Sequence, residues 1–151
     1  MAPALTPRID PFAAAPETIE AVLGLEGHLR QSDLDHSLIE LVKIRASQIN
    51  GCAFCLHMHL KDARDAGESE ERLGLIAAWH DSPLFSPRER AALGWTETLT
   101  LVSGSGAPDG AYEALTDQFS PREQVQLTVV IGQINLWNRL AVGFRRAHPA
   151  D

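Results

Sequence analysis

From Pro16 onward the apolar positions recur every three or four residues, and no window alternates with period two. Ile19, Val22, Leu23 and Leu29 mark one helical face. Leu34, Leu38, Leu41, Val42 and Ile49 repeat at helical intervals next, and Asp33 stands where an N-cap is expected. Asn50-Gly51 interrupts that pattern, as these residues do where a helix ends in a left-handed conformation. A new helical stretch opens at Cys52, runs to about Ala66 and is closed by Gly67, and residues 70–79 form a shorter one. Residues 1–15 hold three of the nine prolines and little periodicity, which predicts an extended arm ahead of a single helical domain over 16–151.

Two segments share the sequence FSPRE, at Phe85–Glu89 and Phe119–Glu123. Each places Ser at the N-cap, Pro at the first helical position and Glu at the third, the pattern of a capping box. The preceding Phe is placed to act as a hydrophobic staple. Two shared helix starts do not make a tandem repeat, which needs three or more units. Between them Ser103–Gly110 reads as a loop on composition. The last helix, over roughly 121–146, is apolar around much of its surface, which predicts a central position or a subunit interface. Together these elements predict an all-α fold of six or seven helices.

Composition narrows the function. The 151 residues suffice for a core without metal or disulfide staples. Thirteen Lys and Arg against twenty Asp and Glu give a net charge of −7, which offers nucleic acid and anionic membranes no general attraction. No stretch approaches the roughly 20 apolar residues of a transmembrane helix, and no secretory pattern opens the chain. Two cysteines are too few for a disulfide scaffold, so a reducing, cytoplasmic setting is expected.

The chemistry concentrates in Cys52-Ala53-Phe54-Cys55-Leu56-His57-Met58-His59. At a helix start, unpaired N–H groups and the positive end of the macrodipole favour thiolate over thiol. A spacing of three puts both sulfurs on one side, where they can close a disulfide. His59, four residues after Cys55, shares its face, whereas His57 points elsewhere. Glu40, on the preceding helix among Leu38, Ile39, Leu41 and Val42, is either solvated or turned inward to exchange protons with thiol or imidazole. A redox dithiol competes here with a zinc site and with two buried cysteines acting as small hydrophobes. Zinc is disfavoured because four ligands within two helical turns cannot converge tetrahedrally. A thioredoxin fold needs a βαβ context that the helical pattern before Cys52 denies.

Glu40-x11-Cys52-x2-Cys55-x3-His59 resembles the signature of the AhpD-like alkylhydroperoxidases of the carboxymuconolactone decarboxylase superfamily, and Gln133–Leu140 is similar to the Asn-Arg-containing final helix of many members. The resemblance implies a homo-oligomeric all-α domain, a trimer or hexamer. It implies a thiol peroxidase or disulfide reductase in which Cys55 attacks an organic hydroperoxide or hydrogen peroxide. Cys52 would donate a proton and then resolve Cys55 into a disulfide, while Glu40 and His59 relay protons. An external dithiol of lipoyl or thioredoxin type would restore the enzyme, with no cofactor and no metal. Phe54 departs from members that carry His before the second cysteine. The alternatives are a decarboxylase or other small-molecule enzyme, and a metal-binding or interaction module.

Overall fold

A computed structural model of the chain describes residues 5–150 and, among them, nine α-helices, a single 3-10 turn and no strand. The all-α expectation holds. In order the helices are α1 Pro11–Ala14, α2 Pro16–Leu29, α3 His36–Asn50, α4 Ala53–Asp65, α5 Glu70–Leu75, α6 Pro87–Thr100, α7 Val102–Ser105, α8 Asp109–Thr116 and α9 Pro121–Gly143, with the 3-10 turn at Ile76–Ala78.

The helix at the centre is α3, not α9. Nine of the fifteen residues of α3 are buried, against seven of the twenty-three in α9. Leu38, Ile39 and Val42 on one side of α3 join Trp95, Leu115, Leu127 and Ile131. Leu41 and Ile44 on the other side join Leu73, Ile76, Trp79 and Leu93. Each fully buried aliphatic side chain contributes about 1.5–3 kcal/mol, so the fold is organised around this one helix. Because α9 packs on it along one side only, Val125 and Val142 remain open to solvent.

Both FSPRE segments form complete capping boxes. Phe85 and Phe119 are both buried, each in a different core cluster. Each ring lies beneath an arginine that also pairs with the box glutamate: Arg72 with Phe85 and Glu89, Arg88 with Phe119 and Glu123.

Four expectations need correction. The proposed extended arm contains the one-turn helix α1, because Asp10 caps it and Pro11 supplies a preset φ; residues 1–4 of that arm lie outside the described residues. The proposed loop at 103–110 holds α7 and the start of α8, so three short helices carry the count above six or seven. Asp33 does not cap α3, which begins at His36; it accepts instead from the guanidinium of Arg122, at 2.6 Å, and from the side chain of Gln126. Finally, α9 stops at Gly143 rather than 146. Arg145 there turns left-handed at φ 56°, and the Arg146 N–H closes back on the Ala141 carbonyl at 2.8 Å.

The join that positions the chemistry is only two residues long. Gly51, at φ 65°, ends α3, and the Cys52 N–H donates to the Ser47 carbonyl at 3.0 Å. Only Gly51 and Cys52 separate the two helices, so α4 folds straight back along α3.

Candidate functional site

Cys52 is the N-cap of α4 rather than its first residue. Its Sγ accepts the backbone N–H of Cys55 at 3.3 Å, the role a serine oxygen plays in an ordinary cap. The two sulfurs are joined as a disulfide with a Cα–Cα distance of 5.4 Å. Both residues are buried, at 1% and 2% exposure, against Ala141 of α9 and beside Phe54. Placement at a helix start surrounds the pair with N–H donors and the positive end of the dipole, which stabilise sulfur anions.

One turn after Cys55, His59 lies on the same face of α4 and is 6% exposed. The reversal at Gly51 brings it level with Glu40 on α3, itself 4% exposed, and His59 Nδ1 stands 3.0 Å from Glu40 Oε2. Glu40 is therefore turned inward, and the carboxylate orients the imidazole. The four singled-out residues thus meet: a disulfide pair and a carboxylate–imidazole pair on two adjoining helices. His57 instead stacks on His148 at a centroid distance of 4.9 Å. Phe54 is covered by the Arg146 guanidinium, 4.0 Å from its ring centre.

A cavity of about 520 Å³ opens in front of this group. Glu40, Cys55 and His59 border it, together with apolar side chains such as Ile39, Met58 and Leu140. Cys52 does not line it. Ligand atoms of Glu40, His59 and exposed Asp62 lie within 4.8 Å of one another, which is the set that could take a cation. Glu40 and His59, however, already satisfy each other.

Three supporting features were not legible as such in the sequence. Lys43, one turn after Glu40 on α3, is buried against Glu26 of α2, and Trp137 Nε1 donates to the same carboxylate at 3.3 Å. Burial pushes the Glu26 carboxyl up, but the hydrogen bond and charge of Lys43, the hydrogen bond from Trp137 and the charge of Arg30 together outweigh it and hold the group below its ordinary value. At the end of α3, Asn50 donates to Asn135 and Asn138 of α9, each at 2.9 Å, and Asn138 donates to Ser47 at 3.0 Å. This network clamps the residue just before Gly51 to α9, and so fixes where α4 begins. Of the polar residues within Gln133–Leu140, Asn135 and Asn138 serve this clamp, whereas Gln133 donates to the Val22 carbonyl. The third feature is Arg146, held between Phe54 and Phe12.

A helical domain with a dithiol at one helix start and a buried Glu–His pair on its neighbour defines a class of protein with several relatives. The family model of the carboxymuconolactone decarboxylase family matches residues 16–98, and the chain belongs to that family. It is 38% identical to the uncharacterized protein YdfG of Bacillus subtilis over 91% of this chain and 94% of that one. A crystal structure of a protein of unknown function from Agrobacterium tumefaciens is 48% identical, with a TM-score of 0.94 over 97% of this chain and all of that one. The debrominase Bmp8 superposes with a TM-score of 0.84 over 92% of this chain and 75% of its own at 16% identity, a likeness of fold alone.

Proposed function

We propose that the chain is a thiol-dependent peroxidase or disulfide reductase whose substrate is a hydroperoxide. The observation that carries this reading is the placement of Cys55: of the two cysteines it alone borders the cavity, one turn from a histidine held by a buried carboxylate. The Agrobacterium relative is provisionally described as the antioxidant defence protein AhpD, which agrees.

In the reduced enzyme the Cys55 thiolate attacks the distal oxygen of ROOH. The O–O bond breaks, Cys55 becomes the sulfenic acid, and the departing alkoxide takes a proton to leave as ROH. His59, poised by Glu40, supplies that proton. The Cys52 sulfur then attacks the Cys55 sulfur and expels hydroxide, which leaves as water, and the disulfide results. An external dithiol returns the pair to thiols by exchange and is itself oxidised. A disulfide that must be reduced in every cycle suits a compartment rich in thiols, such as the cytoplasm.

Peroxide consumption with dithiothreitol tests the reading. Wild type should turn over, and Cys55→Ser should be inactive while keeping its helical circular dichroism. Mass spectrometry of the reduced enzyme after one equivalent of peroxide should show loss of two hydrogens. Full alkylation of both thiols after that treatment would overturn it.

A further inference from the structure

Arg146 sits in an unusual setting for a surface cation. Its guanidinium lies 4.0 Å from the ring centre of Phe54 and 4.8 Å from that of Phe12, and it borders the same cavity as Cys55. Cation–π contact holds a guanidinium by its faces and leaves its N–H donors in the plane available. Among the described residues it has no carboxylate partner. Of the acidic groups around the cavity, Glu40 is paired with His59, Glu26 with Lys43 and Asp65 with Lys61, which leaves Asp62, further along α4.

The arginine is also pinned in place. Arg146 N–H bonds to Ala141, and Phe12 is stacked on Trp137 at a centroid distance of 6.3 Å. The arm that carries Phe12 is tied to the end of α9, where Arg8 donates to the carbonyls of Phe144 and Gly143. Two chain ends that are remote in sequence thus meet to build one cationic rim.

The cavity is polarised along α4. Its N-terminal end carries Phe54, Arg146 and the positive end of the helix dipole, and Asp62 lies eight residues, or about 12 Å, further on. A volume of about 520 Å³ falls within the range that takes ligands of drug size and far exceeds what hydrogen peroxide fills.

From this arrangement we infer that the cavity takes an organic hydroperoxide with an apolar body and a carboxylate, and that Arg146 binds the carboxylate. The substrate enters with its hydroperoxide toward Cys55 and its carboxylate at the rim, and Asp62 disfavours the opposite orientation. The inference rests on the peroxidase reading for the reacting group, but the recognition of a carboxylate is independent of it.

Calorimetric binding of para-isopropylbenzoate and its neutral analogue para-isopropylbenzamide to the oxidised protein separates the two. The benzoate should bind about tenfold more tightly, the size of one charge-assisted contact at a half-open rim. Arg146→Gln should abolish that difference and Arg146→Lys should keep part of it. Arg30→Gln is the comparison, because Arg30 also borders the cavity. Equal binding of the two ligands by wild type, a difference that survives Arg146→Gln, or one lost in Arg30→Gln instead would each overturn the inference. Kinetics with cumene hydroperoxide and its para-carboxylate give the matching ratio of kcat/KM, which should fall toward one in Arg146→Gln. Benzoate binding that depends on Arg146 without turnover of either hydroperoxide leaves this inference standing and removes the peroxidase reading. Equal turnover of both hydroperoxides, independent of Arg146, does the reverse.

Discussion

Glu40 illustrates what a residue's neighbours decide. In the sequence it is a carboxylate beside an apolar stripe, a description that fits a solvated edge as well as a buried base. Its burial and the 3.0 Å contact with His59 settle its place, because an inward carboxylate without a donor would be costly. On the proposed chemistry, Glu40→Gln and His59→Gln should each slow peroxide turnover by about 10²–10⁴-fold, the usual worth of a positioned acid–base group. His59→Gln should also raise the pH at which Cys55 alkylates with iodoacetamide, since a neighbouring imidazolium favours thiolate. Wild-type rates across pH 5.5–8.5, a range chosen to bracket the histidine value of about 6.5, would dismiss the relay. Glu26 invites a second test at this scale. Glu26→Gln leaves Lys43 buried without its counter-charge and should destabilise the fold by about 3–5 kcal/mol in urea.

Acid sensitivity belongs to the same residues. Burial raises the carboxyls of Glu26, Glu89 and Glu97, but their partners Lys43, Arg72 and the Trp79–His80–Arg45 group more than reverse it. A carboxyl depressed in the folded state lends stability above its unfolded pKa of about 4.3 and loses it as pH falls through the lower folded value. Thermal midpoints should therefore hold above about pH 5 and fall steadily below it, and Glu26→Gln should flatten that fall.

Among the elements, the helix starts were the most legible and the helix ends the least. Ser-Pro-Arg-Glu is a local instruction: hydroxyl, preset φ and carboxylate all act within four residues, so both boxes form as the pattern says. Ser86→Ala and Ser120→Ala should each cost about 1 kcal/mol in equilibrium unfolding, and the double variant should depart from the sum because Arg88 of the first box pairs with Glu123 of the second. The end of α9 is not legible in the sequence because Arg145 carries the left-handed turn that a glycine usually signals. The place of Asp33 is hidden for a related reason, since its partners Arg122 and Gln126 lie about ninety positions away.

For the whole molecule, α3 rather than α9 forms the centre, and the apolar surface of α9 divides accordingly. Ile134 is fully buried, whereas Leu136 is 37%, Val142 50% and Val125 64% exposed. Leu101 and Val102 add to the open apolar surface next to the end of α6, which Thr100 and Asn135 tie to α9 at 3.2 Å. We expect this surface to be covered in a homo-oligomer, a trimer or hexamer, and Val142→Glu to weaken it. Light scattering should give a multiple of 16.5 kDa at micromolar concentration. A mass of one chain throughout would refute the expectation. No helix among the described residues is long and apolar enough to cross a membrane.

Local chemistry by itself determined the helical class, both capping boxes, the break at Gly51 and the shared face of Cys55 and His59, because each depends on residues within one or two turns. Only the tertiary structure decided that Glu40 reaches His59, that Lys43 is matched by Glu26, and that Asn50 is clamped to Asn138. It alone brought Phe12 and Arg146, from the two ends of the chain, together with Phe54 of α4. Those pairings cross 17 to more than 80 residues. Helical periodicity states which face of each element is buried, but the partner across that face is chosen by packing the whole chain at once.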